Sequence, residues 1–109
     1  MDLVLGTLDI LVLRGLNWGP KHGYAVARWI EHSSGGTLTV LDGALYTALH
    51  RMEQRGWIAA EWGVSSLGRR AKFYRLTPVG RKQLLAETKG WTDYVAAVGK
   101  VLRTTTQPA

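Results

Sequence analysis

The chain has no cysteine, three prolines and one phenylalanine among its 109 residues. The absence of cysteine excludes disulfides, thiolate catalysis and cysteine-ligated zinc or iron–sulfur sites. No apolar run approaches the roughly 18 residues of a membrane span, and Met1-Asp2 lacks the basic start of a signal peptide. Charged residues make up 20% and hydrophobic residues 46%, the balance of a globular protein. We expect one small cytoplasmic domain, short enough to gain stability from a partner subunit.

Carboxylates are scarce and unevenly placed. Fourteen Lys and Arg against eight Asp and Glu give a net charge of +6. No carboxylate occurs between Trp62 and Ala86, a segment that contains Arg69, Arg70, Lys72, Arg75, Arg81 and Lys82. A concentrated basic segment predicts a polyanionic partner, nucleic acid before membrane. The alternative is an ordinary basic surface.

Hydrophobic spacing predicts three helices in the first half of the chain. Leu3–Leu16 is apolar almost all round, which indicates a helix buried on more than one side. His22–Ser33 is predicted to be the second helix. The third runs from Asp42, expected to cap it, to about Arg55, with Gly56 ending it. Its apolar stripe is Leu45, Ala48, Leu49 and Met52.

The remaining patterns predict a hairpin and a last helix. Thr37–Val40 suits a short strand or an extended connector. Trp57–Val64 and Ala71–Leu76 are β-prone runs joined by a basic connector, which predicts a β-hairpin. Thr77-Pro78 opens a helix that runs to about Arg103.

This order of elements is that of a winged helix-turn-helix, mainly α with a small hairpin, followed by a long C-terminal helix. In that architecture the third helix enters the major groove, and the hairpin, called the wing, contacts the flanking backbone or the minor groove. We expect residues 1–77 to form a DNA-binding domain. Residues 78–109 are expected to form a dimerisation helix and tail within the same compact unit.

Four stretches carry the motifs of a known family: LGTLDIL at 5–11, GPKHGY at 19–24, GALYTALHRME at 43–53 and GRRAKFYRLT at 68–77, followed by Gly80-Arg81. With these, residues 3 to about 103 resemble the PadR-like transcriptional regulators, in particular their short subgroup with a single C-terminal helix. Thr47 departs from the proline usual in the family, which affects base preference and not the fold. The resemblance implies a dimeric bacterial-type repressor that binds an inverted repeat and is released by a small molecule.

The third helix supplies the main candidates for DNA contact. Thr47, His50 and Arg51 project opposite the apolar stripe and suit base edges and phosphates. Gly43 would let the backbone approach a phosphate, or is a plain turn glycine. The resemblance implies that Tyr46 contacts a phosphate; its alternative role is packing.

The wing and the second helix add further candidates. Arg69, Arg70 and Lys72 are predicted to contact phosphates, since no acid balances them nearby in the sequence. Arginines that serve only solubility are the alternative. Tyr24 either reaches a phosphate or packs under the third helix.

The last helix carries a heptad seam that predicts a homodimer: Leu84, Thr88, Trp91, Val95, Val98 and Leu102. The alternative is packing of this seam on the first helix of the same chain. Trp91 lies midway and would face its symmetry mate, where it could stack a flat aromatic effector or simply anchor the interface. The first helix is expected to line the same pocket.

Nothing in the sequence predicts catalysis. His22, His32 and His50 share no metal-ligand spacing, and neither an HExxH motif nor a phosphate-binding glycine loop is present. We expect no enzyme activity, no metal and no cofactor. The function predicted is a sequence-specific repressor, with two alternatives: a winged-helix module that binds protein, or a small-molecule-binding protein without specific DNA binding.

Overall fold

The computed structural model of the protein describes residue 3 and residues 6–107. The predicted order of helices and hairpin is confirmed, with one additional short strand. The elements are α1 (Thr7–Gly15), β1 (Lys21–His22), α2 (Gly23–Ser33), α3 (Asp42–Gln54), β2 (Ile58–Val64), β3 (Arg70–Leu76) and α4 (Pro78–Leu102).

Helix α1 begins at Thr7, so the predicted start at Leu3 is wrong. Gly6 precedes it with φ 87°, a left-handed conformation that cannot continue into a right-handed helix. Leu3 lies outside the helix, and residues 4 and 5 lie outside the described part of the chain. Val12 and Leu13 are fully buried on the inner side of α1.

Helix α2 begins one position later than predicted because His22 caps it. The His22 Nδ1 accepts a hydrogen bond from the Ala25 N–H at 3.2 Å. Lys21 and His22 also form β1, which pairs antiparallel with Tyr74 and Phe73 of β3. The sheet order is therefore β1-β3-β2. A strand of two residues is too short for a periodic pattern in the sequence to reveal.

The N-cap predicted for α3 is wrong, whereas its C-terminal stop is confirmed. Leu41 occupies the N-cap position without a side-chain bond, and Asp42 lies in the first turn, where its charge favours the positive end of the helix dipole. Gly56 has φ 76°. The Trp57 N–H donates to the Met52 carbonyl at 3.0 Å, which completes a glycine-terminated cap.

The core lies between the three N-terminal helices and the inner side of the sheet. The predicted stripe of α3 is buried, with Leu45, Leu49 and Met52 inaccessible to solvent. Residues 37–40 form the extended connector and no strand. The connector is fixed by the Val40 N–H, which donates to the Glu31 carboxylate at 2.9 Å.

Helix α4 starts as predicted and packs tightly at its first turn. The Thr77 hydroxyl accepts the Gly80 N–H at 3.0 Å, with Pro78 at the first helical position. A Cβ at Gly80 would lie 1.9 Å from the Trp57 carbonyl oxygen, so only glycine permits this approach. Leu84 is buried in the core, and beyond it α4 has no buried residue.

Beyond Leu84, α4 therefore runs along the surface of the body and extends past it. Its 25 residues span about 37 Å. The chain measures 63 × 29 × 22 Å, with a radius of gyration of 16.4 Å, against about 13 Å expected for a compact chain of this length. Within the described residues, no helix combines the length and apolar character needed to cross a membrane.

Candidate nucleic-acid interface

The outer face of α3 is polar, exposed and opposite the buried stripe. Gly43, Thr47 and His50 are exposed there. Within the described part of the chain, a Cβ placed on Gly43 would meet no atom within 4 Å beyond the adjoining residues and the backbone of α3. Gln54 continues the same face and is also exposed, although it was not among the sequence-based candidates. Its spacing of four residues from His50 was the available signal. This face can present hydrogen-bonding groups to the base edges in a groove of DNA.

Tyr46 lies at one side of this face, where its ring packs on a neighbouring helix while part of the residue stays exposed. A Cβ at Gly23 would be 3.2 Å from the Tyr46 ring and hydroxyl, so the ring packs over the start of α2. About half of the residue, 52%, remains exposed. The absence of a side chain at Gly23 therefore sets how closely α2 approaches α3.

Arg51 lies on the opposite flank of α3, where its guanidinium forms an ion pair with Asp9 of α1. The Asp9 side chain is 14% exposed and that of Arg51 is 39% exposed. No local sequence pattern indicates this pair, because the two residues are separated by 42 positions. Arg51 is thus held by α1 and not free on the outer face.

Lys72 of β3 is also engaged within the protein. Its Nζ lies 3.3 Å from a Glu53 carboxylate oxygen of α3 and 5.5 Å from the centre of the Tyr74 ring. Burial raises the pKa of Tyr74, partly opposed by the Lys72 charge. The phenol therefore stays neutral at physiological pH, and Lys72 and Glu53 carry the charge at this junction between α3 and the wing.

The wing tip carries cations that have no acidic partner among the described residues. Arg70 stacks on the Trp62 ring at 4.8 Å. The Ser65 N–H donates to the Arg69 carbonyl at 2.7 Å, and Gly68 with φ 75° makes the turn. Arg69 and Arg70 are both exposed, so the tip presents two positive charges to solvent.

A groove of about 490 Å³ separates the wing from the helices. The exposed Tyr24 stands at its edge, with the Arg28 guanidinium 5.0 Å from the ring centre. Arg28, one turn after Tyr24 on α2, was not a sequence-based candidate. The groove brings together residues from α2, α3 and the wing: Tyr24, Tyr46, Trp62, Arg70, Lys72 and Tyr74.

The predicted seam on α4 divides at Leu84. Leu84 packs inside its own chain, as the alternative for this seam held, so it is not available to a partner. Thr88 is exposed, and its hydroxyl donates to the Leu84 carbonyl at 2.7 Å. The apolar seam residues beyond it are uncovered: Trp91 is 43% exposed, Val95 47%, Val98 37% and Leu102 78%.

Trp91 borders a cavity of about 420 Å³ between α1 and α4. Thr7 and Ile10 of α1 line it, as expected, together with Glu87 and Tyr94. The Trp91 and Tyr94 rings lie 6.2 Å apart. This cavity has aromatic walls and one carboxylate, and it is separate from the groove beside the wing. Among the described residues, no three His, Asp or Glu side chains are grouped to hold a metal.

Comparison with known proteins relates this architecture to transcriptional regulators. Residues 12–86 match the model of the transcriptional regulator PadR-like family. A PadR family transcriptional regulator from Eggerthella lenta is 32% identical, with a TM-score of 0.77 over 92% of this chain and 85% of that chain. A transcriptional regulator from Clostridium thermocellum is 26% identical, with a TM-score of 0.79 over 87% and 92%. Protein X of Lysinibacillus sphaericus, itself uncharacterized, is 28% identical over 84% of each chain.

Proposed function

The chain belongs to the PadR-like family of transcriptional regulators, and we propose that it is a cytoplasmic homodimeric repressor that binds an inverted repeat in double-stranded DNA. The observation that carries the proposal is a single surface that combines the polar face of α3, the groove beside it and the unpaired cations of the wing tip. A helix face that reads bases and a basic hairpin that contacts the backbone are the two parts of winged-helix recognition.

Helix α3 supplies the contacts with base edges in this proposal. Thr47 and His50 offer a hydroxyl and an imidazole from the centre of the exposed face, and both suit major-groove donors and acceptors. Gly43, with no side chain, lets the helix start approach a phosphate. Arg51, at the flank, reads or positions the major groove with the N–H groups that Asp9 does not use.

The wing and the edge of the groove supply the phosphate contacts. Arg69 and Arg70 neutralise phosphates from the tip, and Lys72 does so from the base of the wing. Tyr24 and Tyr46, which are 63% and 52% exposed, donate their hydroxyls to phosphate oxygens on either side of the groove. Stacking of Arg70 on Trp62 at 4.8 Å reduces the conformational freedom that DNA binding would otherwise remove.

A second copy of the chain covers the exposed seam of α4. A two-fold pair of these helices, in contact through Thr88, Trp91, Val95, Val98 and Leu102, would place two α3 helices on half-sites about 34 Å apart. We retain the functional division into a DNA-binding part, residues 1–77, and a dimerising part, residues 78–109. The first turns of α4, with Gly80 and Leu84, also belong to the core.

The cavity beside Trp91 is proposed as the effector site. A planar aromatic molecule stacked on Trp91 would contact both α1 and α4. Because α4 also carries the dimer seam, a displacement of α4 would change the distance between the two α3 helices. The dimer would then no longer match two DNA half-sites of fixed spacing and would dissociate from them.

The experiment is fluorescence anisotropy of the protein on DNA from upstream of its own gene and on a scrambled fragment, at two salt concentrations. We expect tight binding to the native fragment alone, weakening steeply with salt. Replacing Thr47 and His50 by Ala should remove the discrimination between the fragments, whereas Arg69→Ser should weaken binding to both. Equal, weak binding to both fragments would contradict the proposal and favour protein or ligand binding.

A further inference from the structure

Two ion pairs join α3 to its neighbours on opposite flanks. Arg51 pairs with Asp9 of α1, and Glu53 pairs with Lys72 of β3. The other two ion pairs among the described residues, Arg28–Glu31 and Lys89–Asp93, each lie within one helix. The flanking pairs are therefore the ionic contacts that fix the position of α3 relative to the rest of the body.

The pair between Asp9 and Arg51 is the more shielded of the two. The side chains of Asp9 and Arg51 are 14% and 39% exposed, against 35% and 38% for Glu53 and Lys72. A charge-assisted bond screened less by water holds its partners more firmly. The contact uses Nη2 of Arg51, and a guanidinium carries five N–H groups in a rigid plane. Holding one nitrogen of that plane therefore limits the orientations open to the remaining donors.

We infer that Asp9 is a positioning residue for DNA recognition: it sets the orientation of the Arg51 guanidinium and of α3, with Glu53 acting more weakly through Lys72. The inference rests on the proposed function, because the consequence to be measured is discrimination between DNA sequences. Asp9 itself need not contact DNA. Its role would add a residue of the first helix to those that determine specificity.

Electrostatics and positioning predict opposite effects of removing Asp9. Loss of a carboxylate raises the net positive charge by one, which by itself strengthens binding to any DNA. Loss of an oriented guanidinium weakens binding only where Arg51 has a defined partner, in the specific complex. The sign of the change on the native fragment therefore separates the two effects.

The test compares Asp9→Ala, Arg51→Gln and the double variant by anisotropy on the native and scrambled fragments. For Asp9→Ala we expect about tenfold weaker binding to the native fragment, with binding to the scrambled fragment unchanged or slightly tighter. In the Arg51→Gln background, Asp9→Ala should add less than about twofold, since Asp9 acts through Arg51. Asp9→Asn, which keeps an oxygen acceptor, should give a smaller loss than Asp9→Ala.

Asp93→Ala is the matched control, because it removes the acid of the exposed pair with Lys89 on α4 and changes the charge equally. It should not weaken binding to the native fragment. Equal weakening on both fragments by Asp9→Ala, tighter binding to the native one, or a full additional loss in the Arg51→Gln background would each overturn the inference.

Amide hydrogen exchange of the free protein distinguishes this inference from the proposed function. Asp9→Ala should accelerate amide exchange in α3 more than in α2, because α3 loses an ion pair with α1 and α2 does not. If the wild-type protein does not discriminate between the fragments, the proposed function fails. Faster exchange in α3 would then still support the positioning of α3 by Asp9, and unchanged exchange would overturn it.

Discussion

The body of the protein, residues 6–84, and the distal part of α4, residues 85–102, differ in how their apolar side chains are covered. In the body, three helices and a sheet bury a continuous core around Leu13, Leu45 and Leu49. In distal α4 no residue is buried, even though several side chains are apolar. Leu85, Val101 and Leu102 are each more than two-thirds exposed. The same chain thus contains a closed unit and a helix whose apolar side chains the fold leaves uncovered.

Local interactions alone give distal α4 little stability. Gly90 and Gly99 each cost about 1 kcal/mol relative to alanine inside a helix, and the Lys89–Asp93 pair contributes about 0.3–0.5 kcal/mol. In proteins, most of the stability of a helix comes from tertiary packing and not from helix propensity. The body has such packing in its own core, whereas in the proposed dimer distal α4 would receive it from a second subunit.

The largest effect is expected from filling the contact between α4 and the body. Gly80→Ala would place a Cβ 1.9 Å from the Trp57 carbonyl oxygen, and we expect a loss of about 3 kcal/mol or more in the free energy of unfolding. At Gly90 the Cβ of alanine would meet no described atom within 4 Å beyond the neighbouring residues and the backbone of α4, so Gly90→Ala should instead stabilise by up to about 1 kcal/mol. Urea unfolding measures both. Equal effects would mean that Gly90 is as closely packed as Gly80.

A charge on the seam should separate the subunits without unfolding the body. Val98→Glu would bury two carboxylates per dimer, and we expect dissociation to be favoured by about 3 kcal/mol, or a hundredfold in Kd. Ala97→Glu is the control, because Ala97 is exposed, lies about 100° from Val98 around α4 and is not part of the predicted seam. Sedimentation velocity reports the subunit state. A Val98→Glu protein that remains dimeric at micromolar concentration would place the dimer interface elsewhere.

Removing one cation should affect DNA binding differently in the two regions. Arg69→Ser at the wing tip should reduce the slope of log K against log salt by about 0.9, because one phosphate contact is lost. Lys100→Ser, in distal α4, changes the net charge equally and should leave the slope unchanged. Anisotropy titrations from low to moderate salt measure both slopes. A matching decrease for Lys100→Ser would show that the slope reports net charge and not contact with the wing.

The smallest effect is a pH dependence of the body at alkaline pH. Burial raises the pKa of Tyr74 in the folded state, so below the unfolded value of about 10 the phenol is neutral in both states and contributes no pH dependence. Above that value the unfolded chain loses its proton first, and stability falls as pH rises. Tyr74→Phe should make this fall shallower in urea unfolding between neutral and alkaline pH. The same replacement at Tyr94, exposed on distal α4, is the control, and an equal change there would contradict the assignment to Tyr74.

The helices and the hairpin were predictable because their signals are local. The stripe on α3, the stop at Gly56 and the Thr77-Pro78 start of α4 depend on neighbours within a few residues. The errors arose where backbone conformation decided the boundary. The φ of Gly6 sets the start of α1, although the apolar run from Leu3 favours an earlier start. Leu41 occupies the N-cap position of α3, although aspartate is a preferred residue type there.

The candidate site was predicted only in part because its geometry depends on distant residues. Exposure of Thr47 and His50 follows from helical spacing alone. The pairing of Arg51 with Asp9 and of Lys72 with Glu53 joins residues 42 and 19 positions apart. Neither pair has a signal in a single sequence, so the sequence presented Arg51 and Lys72 as free cations.

Residue patterns along the chain were enough to predict the family, the order of the elements, the basic wing and the polar face of α3, because periodicity, caps and local charge are properties of neighbouring residues. The folded structure was needed to show which cations are unpaired, that Leu84 belongs to the core and not to the exposed seam, and how α1 contacts both α3 and α4. Those features depend on packing between segments far apart in the chain, where the distance between two side chains is set by the whole fold.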